Sequence, residues 1–76
     1  MMKNSETTDW GRLLSSKKAV SRMNKFAIGT CSTKETAAAF SNTPSAGEFR
    51  KLVRNNGTIY ARRLTRKALR YRGLMS

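Results

Sequence analysis

Between residues 49 and 76 the chain carries nine Lys and Arg, no acid and two tyrosines. The bases are Arg50, Lys51, Arg54, Arg62, Arg63, Arg66, Lys67, Arg70 and Arg72, and Tyr60 and Tyr71 are set among the later ones. A guanidinium is a planar fork that pairs bidentately with phosphate oxygens and also stacks on bases. Aromatic rings stack on unpaired bases in RNA. The chemistry these residues can do is recognition of a polyanion. The two tyrosines also fit the apolar stripe of a helix, and their spacing favours burial there, with base stacking as the alternative.

Catalysis has little to draw on. The chain has no histidine, its four acids form no pair at a suggestive spacing, and its glycines form no phosphate-cradling loop. The single cysteine, Cys31, has no evident activating partner and is read as a small buried or semi-exposed residue. One cysteine and scattered carboxylates do not make a four-ligand metal cage. The expectation is a binding protein, not an enzyme, with no cofactor and no metal. A lone cysteine suits a reducing compartment. No apolar run has the length of a membrane span, and the first residues lack the pattern of a secretory signal. A cytoplasmic setting is expected, with an organelle matrix or a phage-infected host cytoplasm as alternatives.

The charge is high and uneven. Sixteen Lys and Arg against four Asp and Glu give +12. The first 48 residues contribute seven bases and four acids, the rest nine bases and no acid. An isoelectric point near 11.3 exceeds the value of roughly 9 that marks nucleic-acid-binding domains. At 76 residues the chain is one small basic domain, and only 38% of it is hydrophobic. Chains this short bury only about 60% of their unfolded surface, so a completing partner is as plausible as a free-standing core.

The elements that must position the bases read as mainly α, in three or four short helices. Residues 1–8 are polar and predicted to be disordered. Thr8 or Asp9 caps a helix running to about Met23, with Trp10, Leu13, Leu14 and Val20 on its apolar side, although Gly11 and Ser15–Ser16 weaken it. Residues 26–31 form an apolar connector. Ser32-Thr-Lys-Glu35 has the form of a capping box and starts a helix through Phe40. Ser41–Pro44 breaks that helix, and Ser45-Ala-Gly-Glu48 offers a second box. The helix that follows sets Phe49, Leu52 and Val53 opposite Arg50, Lys51 and Arg54, and stops at Asn55-Asn56-Gly57. Residues 58–76 form the basic segment. A helix over 60–72 would align Tyr60, Leu64, Ala68 and Tyr71, with Gly73 as its stop.

Residues 49–65, Phe-Arg-Lys-Leu-Val-Arg-Asn-Asn-Gly-Thr-Ile-Tyr-Ala-Arg-Arg-Leu-Thr, resemble the core motif of the eighteenth protein of the bacterial-type small ribosomal subunit and its mitochondrial relatives. Leu52 and Val53, Gly57, Ile59, Arg62-Arg63 and Leu64-Thr65 carry the likeness, and Arg70–Met75 extends it. Ala61 stands where many members have proline, and Arg66 where they have glycine. The resemblance implies contact with small-subunit ribosomal RNA beside a neighbouring ribosomal protein.

Nucleic acid is thus the expected partner, RNA ahead of DNA, with a basic C-terminal helix on rRNA phosphates. Two other readings stand beside it. One is a helix-turn-helix DNA-binding regulator of phage or plasmid type, with residues 32–40 as first helix and 45–54 as recognition helix. Its turn lacks a central glycine, and Phe49 and Leu52 fall later than the compact motif sets them. The other is a small basic inhibitor that docks on an acidic host protein or a membrane.

Overall fold

The computed structural model describes residues 8–75, so the expected disorder of residues 1–8 lies outside it except at Thr8. The described residues form five helices and no strand: α1 Trp10–Leu13, α2 Lys17–Ala27, α3 Thr33–Ala39, α4 Pro44–Asn56 and α5 Thr58–Tyr71. The mainly α expectation holds, with one helix more than expected.

The extra helix comes from a break near the N-terminus. The single helix expected to run to Met23 is two. Asp9 caps α1 by accepting the Arg12 N–H, and Leu14 leaves helical geometry at φ −117°, ψ 33°. Ser16 then starts α2 afresh, its hydroxyl accepting the Ala19 N–H at 3.1 Å. Serine competes well for backbone donors at a helix start and poorly supports a helix interior, so the Ser15–Ser16 pair is where the chain divides.

The first two residues of the connector expected at 26–31 are helical instead. Phe26 and Ala27 end α2 and are buried. Gly29, at φ 87°, closes it: the Gly29 N–H bonds the Phe26 carbonyl and the Thr30 N–H bonds the Lys25 carbonyl. The same pair of bonds ends α5, where Gly73 bonds Arg70 and Leu74 bonds Leu69. The buried Asn24 side chain donates to the Leu74 carbonyl at 3.1 Å and fastens that tail to α2.

Of the two expected capping boxes, one forms. Ser32 and Glu35 exchange both bonds, at 2.9 and 3.1 Å. The Ser32 backbone N–H, then its hydroxyl, hold the Glu35 carboxyl below its ordinary range against an opposing effect of desolvation, with a lesser lowering from the charge of Arg22. The box at Ser45–Glu48 does not form. Pro44 already occupies the first position of α4, where its missing N–H costs nothing. Ser45 donates instead to the Arg12 carbonyl at 3.0 Å, and Glu48 accepts the Asp9 N–H at 2.9 Å. Both side chains therefore hold α1 onto α4.

The core lies where α2, α4 and α5 meet. Phe26 and Phe49 pack edge to face with centroids 4.9 Å apart, and Phe40 lies 6.1 Å from Phe49. Leu13, Met23 and Leu52 complete it, with Val53 and Leu64 partly buried at its margin. Among the described residues every buried side-chain polar atom has a partner. The hydroxyls of Thr36 and Thr65 reach back to the carbonyls of Ser32 and Ala61.

Candidate nucleic-acid interface

One residue, Gly57, separates α4 from α5. Its φ of 84° and ψ of 157° lie in a region essentially reserved for glycine. With no slack between the helices, α5 must approach closely, and it does so on its small residues. Ala61, Thr65 and Ala68 are buried, together with Leu69.

That inward face is not the expected one. Of the stripe Tyr60, Leu64, Ala68 and Tyr71, Ala68 is buried and Leu64 partly so, but the two rings face solvent, because a ring at each end would hold the helix off its neighbours. Tyr60 is 46% exposed and Tyr71 85%, and Ile59 beside Tyr60 is 71% exposed. The tyrosines are eleven residues apart, about 16 Å along the axis and nearly in line. Arg63, Lys67 and Arg70 are exposed between them. The outward face of α5 therefore carries three cations flanked by two rings, within an arc of about 100°.

The nine candidate bases divide into two groups. Arg50, Lys51, Arg54, Arg63, Lys67, Arg70 and Arg72 are exposed. Arg62 and Arg66 are half-buried on the flank of α5 and turn back into the protein. Arg62 donates to the carbonyls of Phe26 at 3.0 Å and Cys31 at 3.4 Å, and its guanidinium lies over the Phe26 ring. Arg66 donates to the Ala27 carbonyl at 3.2 Å. Phe26 and Ala27 end α2, where carbonyls lack helical partners and the helix dipole is negative, so two cations are favourable there. These two arginines were expected on phosphates; in the fold their forks are engaged with backbone.

Cys31 is buried, and its sulfur accepts from Thr36 Oγ1 at 3.3 Å and from Arg22 Nη1 at 3.9 Å. On α4, Arg50, Lys51 and Arg54 share the solvent side, opposite Phe49 and Leu52. In the turn before it, Asn42 takes φ 70°, supplying the left-handed residue that the turn's sequence lacks as glycine. None of the nine is in a salt bridge: among the described residues the one salt bridge joins Asp9 and Arg12 at 3.8 Å, both half-exposed.

Trp10 packs partly buried against the core, on the apolar side of the first helix where the sequence places it. Sequence reasoning missed its second contact, a depression that it lines together with Tyr71. Nothing local signals this, since α5 arrives beside it from some sixty residues along the chain. Among the described residues no helix is long and apolar enough to cross a membrane. No family model, curated protein or solved structure matches the chain.

Proposed function

We propose that this protein binds RNA through the outward face of α5. The observation that carries the reading is the exposure of Tyr60 and Tyr71 in line with Arg63, Lys67 and Arg70. A purely electrostatic surface for duplex phosphates has no use for two solvent-facing rings, whereas unpaired bases stack on them. The exposed cations would contact phosphates and supply most of the affinity, which falls steeply with salt. The likeness of residues 49–75 to a small-subunit ribosomal family makes ribosomal RNA the first RNA to test. The proposed activity is binding without catalysis.

A second reading has one specific observation in its favour. The α3–turn–α4 unit, with Asn42 left-handed in the turn, presents Arg50, Lys51 and Arg54 together to solvent. This suits a recognition helix directed at a DNA major groove.

Competition binding at near-physiological salt separates the two, using structured RNA, single-stranded RNA and duplex DNA of matched length. Preference for either RNA supports the first reading. A sequence-specific footprint on duplex DNA that survives moderate salt overturns it in favour of the second. Equal binding that disappears with added salt overturns both and points to a protein partner.

A further inference from the structure

Trp10, Leu64, Lys67, Ala68, Tyr71 and Arg72 line an open pocket of about 280 Å³ where α1 meets the last turns of α5. Its volume is just below the roughly 300–1,000 Å³ of pockets for drug-sized molecules, and suits one planar group of nucleobase size. The lining has three parts. Trp10 and Tyr71 provide aromatic surface, Leu64 and Ala68 apolar surface, and Lys67 and Arg72 the only charges, both positive.

Both aromatic residues sit on anchored elements. Trp10 is on a single turn of helix fastened to α4 by the Glu48 and Ser45 bonds, with Leu13 fully buried beneath. Tyr71 ends α5 just before the Gly73–Leu74 closure that Asn24 fixes to α2. A pocket whose surroundings are ordered in advance loses less freedom when it fills.

We propose that this pocket takes a single unpaired RNA base, stacked against Trp10 and Tyr71, with Lys67 and Arg72 on the flanking phosphates. The inference rests on the RNA reading and makes it narrower: the ligand is RNA that offers an extruded or single-stranded nucleotide. A perfectly paired duplex has no base free to enter. The absence of any acid from the lining fits a phosphate-flanked group, and the volume matches one base better than a whole helix.

Trp10 is the sole tryptophan of the chain, so its emission reports on this pocket alone. The full-length protein is titrated with a blunt RNA duplex and with the same duplex carrying one bulged nucleotide. The bulged duplex is expected to quench Trp10 and to bind about tenfold more tightly, the scale of one stacked base. Tyr71→Ala, at an exposed position, is expected to bring the bulged-to-blunt affinity ratio, measured within that variant, down to about one. Tyr71→Phe should retain the preference. Equal binding of the two duplexes with unchanged Trp10 emission overturns the pocket and leaves the RNA reading in place. Failure of both duplexes and of single-stranded RNA to bind overturns the RNA reading, and the pocket with it.

Discussion

The guanidinium of Arg62 lies 4.9 Å from the centroid of the Phe26 ring, and its Nε donates at 3.0 Å to the carbonyl oxygen of the same residue. One side chain thus holds both the face of a core aromatic and the end of the helix that bears it. Arg62→Ala removes a charge-assisted hydrogen bond and a cation–π contact, and is expected to lower the unfolding free energy by about 2 kcal/mol. Arg63→Ala, one residue on and facing solvent, should change it by less than about 0.5 kcal/mol. Urea unfolding of the two variants checks this, and equal losses would refute the structural assignment of Arg62.

Binding should rank the same two residues in the opposite order. Each of Arg63→Ala, Lys67→Ala and Arg70→Ala is expected to reduce the slope of log affinity against log salt by about 0.7–0.9. Arg62→Ala, assayed where it remains folded, should leave the slope unchanged. Anisotropy titrations at several salt concentrations distinguish the cases.

Two glycines should respond with opposite signs. Gly57, at φ 84° and ψ 157°, sits where a side chain is strained, so Gly57→Ala is expected to cost about 1–3 kcal/mol. Gly47 lies inside α4, and an added Cβ there meets nothing within 4 Å. Gly47→Ala should therefore stabilise by about 0.5–1 kcal/mol. Thermal melts of both variants provide the check.

Glu35 predicts a pH effect of defined sign. Its carboxyl titrates below the ordinary 4.5 in the folded state, chiefly because of the Ser32 N–H. The stability it contributes is fully present above 4.5 and is lost as pH falls through the lower folded value. Glutamine can make the same box without titrating. Glu35→Gln should accordingly flatten part of the acid-side fall in melting temperature; an unchanged profile would deny the box this role.

Ser45→Ala removes the bond to the Arg12 carbonyl and is expected to cost about 1 kcal/mol. The loss should be local. Faster amide exchange over residues 9–14 and a shift in Trp10 emission are the expected signs, with α2 and α5 unaffected.

The two Ser-x-x-Glu patterns show how far the sequence could be read. At Ser32 the motif stands alone, every group it needs is within four residues, and it forms as written. At Ser45 the same letters follow a proline that has already begun the helix, and their side chains go to residues more than thirty positions away. The basic helix was legible as a helix, and Phe49 and Leu52 as core. Its orientation was not, because Tyr60, Leu64, Ala68 and Tyr71 form as good a stripe on paper as Ala61, Thr65, Ala68 and Leu69. The choice is made by the single-residue joint at Gly57, which admits only the face with small side chains. The inward turn of Arg62 and Arg66 was equally hidden, since their acceptors are carbonyls of α2.

The scarcity of internal ion pairs gives salt two opposing roles. With one exposed pair, Asp9–Arg12, among the described residues and +12 over the chain, like charges repel in the compact state. Screening ions should therefore strengthen the fold in the same concentration range in which they weaken the proposed binding. A polyanion that settles on the folded surface acts as a folding ligand and stabilises it by mass action. The chain would then resist unfolding best when its partner is at hand, so that its lifetime depends on the abundance of what it binds.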